Sequence, residues 1–155
     1  MRLYRVCPTK YAKAPLSGEG PFLFGTRWSS PGTRLACAST SAALAQIEFL
    51  GHLVERDEIT VPLTMIIADV PQDVGIRLLD RAPPRWRRTP SPLSLRRVGD
   101  LWVASKGSCV LIVSSIHLPQ SLKGTEQNAL INPTHPDFGR IRVKRIRFRF
   151  DPRLL

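Results

Sequence analysis

The chain has 155 residues, of which 43% are hydrophobic, and this length and composition predict one globular domain over residues 1–155. No apolar run is long enough to cross a bilayer, and no apolar segment follows the basic residue near the N-terminus, so we expect neither a membrane protein nor a secretory signal. The three cysteines are widely spaced, without a C-x-x-C pair or a nearby His cluster, which argues against disulfides and a metal site and favours a reducing cytoplasm. The net charge of +11 indicates an anionic partner: nucleic acid, an acidic protein or a small polyanion.

The N-terminal half predicts strands and turns followed by one helix. Residues Arg2–Val6 alternate polar and apolar side chains and predict a short strand, whereas the Pro- and Gly-rich residues Tyr11–Gly25 predict a loop. Residues Thr26–Trp28 and Arg34–Ala38 flank Ser-Ser-Pro-Gly, which predicts a hairpin or a strand–turn–strand unit. Helix caps at residues 39–41 then predict a helix that ends at about Arg56.

The C-terminal half predicts buried strands separated by a basic segment. LTMIIADV (63–70) and Cys109–Ile116 are rich in β-branched residues and predict two buried strands. Between them, Asp80–Arg97 contains several prolines and arginines around Trp86, which predicts a long basic loop. Short strands with one good helix indicate an α+β domain.

The last strand, GRIRVKRIRFRF, alternates apolar and basic residues, but the alternation slips by one residue in the middle. A β-bulge at Lys144–Arg145 would bring its apolar residues onto one core face. The arginines on the opposite face would then bind nucleic-acid phosphates or protect a sheet edge from pairing with other chains. The Arg-rich loop with Trp86 likewise suits either nucleic acid or an acidic protein.

Two charged residues have both an ordinary and a functional interpretation. In the helix SAALAQIEFLGHLVER, Glu48 lies among Leu44, Ile47 and Gly51, where a carboxylate must be paired unless it meets water at the margin of the apolar stripe. Arg27 is either a solvated hairpin arginine or a guanidinium fork for phosphate.

His135, in the rigid turn NPTHPDFG, is either a general base or a structural hydrogen-bonding group.

Several sequence blocks, taken in order, resemble the RES-domain family of bacterial toxins, which are encoded beside Xre-type helix-turn-helix antitoxins. YAKAPLSGEGP and GTRWSSPGT look like the family's Y-A-x-x-P-L-S-G-x-G-A and G-G-R-W-N-x-x-G-x-P blocks. SAALAQIE, VGDLW and IVSSI resemble its glutamate helix, its G-D-x-W segment and its V-P-S-A strand end. NALINPTHPDF and FDPRL are similar to the family's C-terminal motifs, so the resemblance covers nearly the whole chain.

This resemblance implies a fold related to ADP-ribosyltransferases such as diphtheria toxin, with short strands and a few helices around an NAD cleft. It places the family's catalytic Arg, Glu and Ser at Arg27, Glu48 and Ser115. Members of the family are reported to cleave the nicotinamide–ribose bond of NAD, and some transfer ADP-ribose to proteins. The resemblance therefore implies NAD as the substrate, and it implies no metal. The residues implied to bind NAD are Arg27, Trp28, Cys37, Ser115 and Asn132.

The chemistry implied by the resemblance suits these residue types. Arg27 would hold the pyrophosphate of NAD through bidentate charge-assisted bonds. Departure of nicotinamide leaves an oxocarbenium-like ribose, which the Glu48 carboxylate would stabilise. Ser115 would bond the ribose or orient Glu48.

The chain departs from the family pattern at a few positions. Cys37 stands where the family usually has a tyrosine expected to stack on NAD, and Thr26, Ser29 and Ser114 replace family Gly, Asn and Pro residues. Cys37 as a new nucleophile would need a base, and none is adjacent in sequence.

The resemblance therefore implies the toxin of a type II toxin–antitoxin system, which inhibits bacterial growth by NAD cleavage or by ADP-ribosylation of a protein. One alternative is a weakened homologue that acts mainly as an antitoxin-binding module. Another is a basic toxin directed at nucleic acid. The expected partners are a cognate Xre-type antitoxin, NAD and an acceptor of ADP-ribose, with nucleic acid reached only indirectly through the antitoxin.

Overall fold

The structure is a computed structural model that describes residues 1–53, 61–119 and 124–154. Its strands are β1 (Arg2–Pro8), β2 (Ala36–Ser39), β3 (Leu63–Asp69), β4 (Ile76–Leu78), β5 (Val110–Val113), β6 (Asn128–Ile131) and β7 (Arg142–Phe148). The α-helices in the described ranges are α1 (Glu19–Phe24), α2 (Ala42–Gly51) and α3 (Leu93–Ser105), with 3₁₀ turns at Thr9–Tyr11, Pro136–Arg140 and Pro152–Leu154. The predicted α+β class is confirmed.

The strands form one seven-stranded sheet in the order β4-β5-β6-β2-β1-β3-β7. Strands β4 and β5 are parallel, and the other neighbouring pairs are antiparallel. In the centre of the sheet, Cys37 pairs with Leu130 and Ser39 pairs with Asn128. Because side chains alternate along a strand, these four residues share one face.

Helices α2 and α3 cover that face, which we call the helix face. Leu95, Trp102 and Val103 of α3 pack with Leu111 and Leu130, and residues of α2 pack near Val6 and Met65 of the neighbouring strands. The opposite face is covered by loop side chains and by the 3₁₀ turn at Pro136–Arg140. The sheet is thus buried on both sides at its centre, which suits the run of fully buried residues in β5.

Two predictions for the N-terminal half are wrong. The segment predicted as a loop contains α1, which begins after Gly18 in a left-handed conformation; a Cβ there would lie 2.8 Å from the Leu35 amide nitrogen, so glycine is required. Residues Thr26–Trp28 form no strand, because Thr26 instead closes a turn by donating its N–H to the Ser29 carbonyl at 2.9 Å. The predicted hairpin is therefore absent, and β2 pairs with β1 and β6.

Two element boundaries and one short strand also differ from the prediction. Helix α2 ends at Gly51 rather than near Arg56, and residues 54–60 lie outside the described part. Helix α3 begins at Leu93, inside the segment predicted as loop, since Pro92 occupies its N-cap, where no N–H is needed. The short strand β4 was not predicted, and its side chains are exposed.

The predicted bulge in β7 is wrong. Residues Arg142–Phe148 pair one to one with β3, so the alternation slip turns apolar residues toward different faces. Val143 packs beside Cys7, Phe148 packs beside Phe150 on the other side, and Ile146 is 43% exposed. β7 lies at one edge of the sheet, where charged side chains discourage pairing with other chains.

Candidate active site

The most polar buried cluster on the helix face is centred on Glu48. Ser41 caps α2 by accepting the Leu44 N–H at 3.0 Å, and Glu48 follows one turn after Leu44. Its Oε1 accepts one hydrogen bond from Ser115 Oγ and one from Asn128 Nδ2, each at 2.6 Å. The Glu48 side chain is only 18% exposed, and these two hydrogen bonds provide the partners that a largely buried carboxylate requires.

Its two donors are held in place by the sheet and the chain that follows it. Val113 at the end of β5 pairs with Asn128 at the start of β6, which brings Ser115 and Asn128 side by side. The Asn128 Oδ1 accepts a hydrogen bond from Ser39 Oγ at 3.0 Å, which fixes the orientation of the amide. The Ser115 hydroxyl, itself buried, also accepts the His117 N–H at 3.0 Å. Glu48 therefore has a fixed position rather than a mobile one.

A histidine completes the surroundings of the Glu48 carboxylate. His117 Nε2 lies 3.7 Å from Glu48 Oε2. The ring packs directly on α2 at Gly51, where an added Cβ would overlap it. The prediction that Ile47 lies on the buried stripe of α2 is wrong, because Ile47 is 41% exposed and Leu44 and Ala45 are the buried residues.

Arg27 anchors the loop that carries Trp86. Its Nη1 donates to the carbonyl oxygens of Trp86 at 3.0 Å and Arg88 at 2.8 Å, and its Nη2 donates to Thr89 Oγ1 at 3.2 Å. Burial lowers the pKa of Arg27, and the Glu48 carboxylate partly opposes that shift. Arg27 is thus a half-buried guanidinium within electrostatic reach of Glu48, rather than a freely solvated charge.

The segment VGDLW positions the backbone around Arg27. Gly99 of α3 lies against the Trp28 carbonyl, and a Cβ at Gly99 would be 3.0 Å from that carbonyl carbon and closer still to its oxygen. The Asp100 carboxylate accepts the Ser30 N–H at 2.9 Å and the Thr33 hydroxyl at 2.8 Å. Burial raises the pKa of Asp100, but these hydrogen bonds outweigh it and hold the pKa below its usual value.

An open pocket of about 270 Å³ lies beside this cluster. Ser115 lines it, together with Trp86 and Arg87 of the basic loop. Arg87 donates to the carbonyl oxygens of Ile116 at 2.7 Å and Leu118 at 2.9 Å, so the loop is tied to the segment that follows β5. The remaining lining residues are Leu79, Arg81, Ala82, Ser114, Leu118, Pro119, Gly124 and Glu126.

Cys37 lies on the helix face of the sheet, within electrostatic reach of Arg5 and Glu48. It packs on the apolar cluster that contains Trp28 and Leu130. Burial raises the pKa of the Cys37 thiol to about 11, with Arg5 opposing and the Glu48 carboxylate adding to the rise. The thiol is therefore protonated at neutral pH, which disfavours Cys37 as a nucleophile.

Comparison with known proteins identifies the family. The family model described as "RES domain" matches residues 2–152. The chain belongs to the RES-domain family. Two curated relatives named "Toxin Res", from Yersinia enterocolitica serotype O:8 / biotype 1B and Photorhabdus laumondii subsp. laumondii, are each 32% identical to it. The matches cover 99% of this chain and 99% of the Yersinia protein, and 100% of this chain and 97% of the Photorhabdus protein.

A third relative and one solved structure extend the comparison. The "Prs ADP-ribosylating toxin" of Sphingobium sp. strain YBL2 is 30% identical over 94% of this chain and 89% of its own length. The fold is similar to a chain in the crystal structure of the M. tuberculosis MbcT–MbcA toxin–antitoxin complex, with a TM-score of 0.68 and 15% identity. That likeness covers 96% of this chain and 84% of the other and supports the fold.

This RES domain brings together most of the residues that its motifs single out. Glu48 and Ser115 are hydrogen-bonded, Cys37 lies close by, and Arg27 is hydrogen-bonded to the loop that borders the pocket. Trp28 is buried against the core, 4% exposed, and supports the Trp86 ring rather than lining the pocket itself.

The structure does not bring Asn132 to the Glu48 cluster. Asn132 follows the far end of β6, is fully buried, and donates to the Val103 carbonyl at 3.1 Å while accepting from Thr134. His135 accepts the Asp137 N–H at 3.1 Å, which caps the 3₁₀ turn and supports its structural interpretation. NAD binding by Asn132 stays a prediction.

Sequence reasoning missed Asn128 and His117 in this RES domain. Asn128 is the first asparagine of the motif NALIN, and its exchange of hydrogen bonds with Ser39 and Glu48 depends on strand register. His117 follows Ser115 by two residues, a spacing that could have suggested a shared site.

The part of the chain that the structure describes offers neither a metal site nor a membrane span. In residues 1–53, 61–119 and 124–154, no group of three or more His, Cys, Asp or Glu side chains could hold a metal ion. No helix within those same ranges has the length and apolar character needed to cross a membrane.

Proposed function

We propose that this chain is the toxin of a toxin–antitoxin system and that it consumes NAD by cleaving the nicotinamide–ribose bond. Water, phosphate or a protein side chain would then accept the ADP-ribose. The names of the relatives support this class, since two are called "Toxin Res" and one "Prs ADP-ribosylating toxin". The observation that carries the proposal is the Glu48 carboxylate, largely buried, fixed by Ser115 and Asn128, and adjacent to an open pocket.

The proposed reaction needs a fixed negative charge near the ribose. As the nicotinamide leaves, positive charge develops on the ribose, as in glycoside cleavage. A carboxylate held by two hydrogen bonds does not have to reorient to meet that charge, so its effect falls mainly on the transition state. Ser115 and Asn128 supply those two bonds, which assigns them a positioning role.

Arg27 and Arg87 supply the positive charge that an NAD pyrophosphate requires. Within residues 1–53, 61–119 and 124–154, the hydrogen bonds of Arg27 engage both Nη1 hydrogens and one Nη2 hydrogen, which leaves its Nε–H and the other Nη2–H for a phosphate oxygen. We expect Arg27 to bind the pyrophosphate while it holds the loop.

The proposed partner is a cognate Xre-type antitoxin, and the proposed location is the cytoplasm, where NAD is available. The structurally similar chain was solved in a toxin–antitoxin complex. The net charge of +11 would suit an acidic antitoxin segment near the pocket.

The test is NAD consumption by the purified chain freed from any antitoxin. Glu48→Gln keeps the size of the side chain and removes its charge, so we expect kcat to fall by about 10² or more. Glu19→Gln is the matched control, because Glu19 is exposed on α1, and it should leave turnover unchanged. Equal turnover in Glu48→Gln and the native chain would contradict the proposal.

The same assay separates the two alternative functions. If the native chain is inactive and Cys37→Tyr is active, the chain is a RES scaffold weakened at that position and acts mainly by binding its antitoxin. A nucleic-acid-directed toxin would instead bind RNA or DNA with an affinity that falls steeply with salt, and it would leave NAD intact.

A further inference from the structure

The pocket beside Glu48 contains one aromatic side chain, Trp86, among the described residues that line it. The same pocket includes Ser115, whose hydroxyl is bonded to the Glu48 carboxylate at 2.6 Å. The Trp86 ring therefore borders the space next to the proposed reacting bond.

The Trp86 ring is held in place on several sides. It lies 6.4 Å from the buried Trp28 ring at an angle of 32°, and the Trp86 carbonyl accepts from Arg27. The Arg87 guanidinium lies 5.2 Å from the ring centre and is itself bonded to two carbonyl oxygens across the pocket. The ring is half-buried, so part of it stays open toward the pocket. A rigid, partly open indole loses little conformational entropy when a ligand stacks on it.

Strand β2, at the centre of the sheet, has no aromatic side chain. At the centre of β2, the residue on the helix face is Cys37, a small and half-buried thiol. A flat heteroaromatic ligand group that enters the pocket thus meets an aromatic surface from the basic loop rather than from the sheet.

We propose that Trp86 binds the nicotinamide ring of NAD by stacking, an inference that rests on the proposed function. The ring is nicotinamide rather than adenine because the pocket borders the Ser115–Glu48 pair, where the nicotinamide–ribose bond must lie. A volume of about 270 Å³ also suits one end of a dinucleotide, since sites for drug-sized ligands span about 300–1,000 Å³. Nicotinamide in NAD is cationic, and tryptophan is the preferred aromatic partner for cations. Glu126 in the pocket offsets one of the two arginine charges there.

The experiment compares two ligands and two substitutions. In the Glu48→Gln background, which should slow turnover by about 10² or more, the Kd of NAD and of ADP-ribose is measured by equilibrium dialysis with Trp86→Leu and Trp86→Phe added, and the NAD is verified to be intact at the end of dialysis. Trp86→Leu should weaken NAD binding by about 5- to 150-fold, the range known for base–aromatic stacking, and change ADP-ribose binding little. Trp86→Phe, which keeps a ring, should restore most of the NAD affinity.

Fluorescence gives a second readout that does not depend on the Leu variant. Trp28 and Trp102 are 4% and 6% exposed, so NAD should quench mainly Trp86, and the quenching should disappear in Trp86→Phe. Equal losses of NAD and ADP-ribose affinity, or quenching that survives in Trp86→Phe, would overturn the stacking proposal. Thermal unfolding of each variant verifies that it is folded.

Failure of this inference is distinguishable from failure of the proposed function. If the native chain consumes NAD and both Trp86 variants match it in KM, the stacking proposal alone is wrong. If the native chain neither binds nor consumes NAD, the proposed function fails first, whatever the Trp86 variants do.

Discussion

Gly99→Ala tests whether the segment VGDLW acts by holding α3 against the backbone that carries Arg27. The added Cβ would lie 3.0 Å from the Trp28 carbonyl carbon, closer to its oxygen, and 3.5 Å from Leu35 Cδ2. Main-chain atoms cannot rotate away, so α3 must move outward by on the order of 1 Å. That movement would also stretch the two hydrogen bonds between Asp100 and the loop after Arg27.

The expected loss of stability combines these two effects. Overpacking of a core costs about 1–3 kcal/mol, and each weakened hydrogen bond costs about 1 kcal/mol. We therefore expect the free energy of unfolding to fall by about 3–5 kcal/mol, which lowers the Tm by about 6–20 °C in a chain of this size. NAD turnover should fall as well at temperatures where Gly99→Ala is still folded, because the Arg27 loop would be displaced.

The assay is urea and thermal unfolding followed by circular dichroism, with Gly20→Ala as the control. Gly20 lies in α1, where an added Cβ meets nothing within 4 Å, so alanine should leave stability unchanged or raise it by up to about 1 kcal/mol. A Gly99→Ala protein whose unfolding free energy lies within about 0.5 kcal/mol of the native value would refute this reasoning.

Three further predictions concern the site and its support. Asn128→Ala should lower kcat for NAD cleavage by about tenfold with little change in KM, because the Glu48 carboxylate loses one of its two donors; an unchanged kcat would show that Asn128 does not orient it. Cys37 should react with iodoacetamide far more slowly at pH 8 in the folded chain than in urea, because burial raises its pKa to about 11, and equal rates would contradict the raised pKa. Asp100→Ala should cost about 1–3 kcal/mol at pH 7, because the Ser30 N–H loses its acceptor. Since the folded-state pKa of Asp100 is depressed, its contribution is complete above the unfolded pKa of about 3.9 and is lost as the pH falls through the folded value, so the difference from the native chain should shrink in unfolding experiments as the pH is lowered below that unfolded value.

Local pattern was sufficient for the elements whose side chains alternate or repeat regularly. The strands at β1, β3 and β5 and the start of α2 were predicted because β-branched runs and a serine cap are signals contained in a few adjacent residues. The predicted bulge in β7 failed because the pattern assumed one core face, whereas this edge strand has apolar contacts on both sides. The loop predicted at Tyr11–Gly25 failed because Gly18 there serves as a helix cap.

The α+β class follows from local pattern, and Arg27, Glu48 and Ser115 could be predicted as site residues because family motifs keep their residues within short segments. The partners of these residues depend on tertiary contacts. Ser115 and Glu48 are 67 residues apart and Asn128 and Glu48 are 80 apart, and those contacts exist because antiparallel pairing places the end of β5 beside the start of β6, under α2. Asn128 is the first residue of β6 and Asn132 follows its last residue. The same pairing therefore brings Asn128, and not Asn132, into contact with the Glu48 carboxylate.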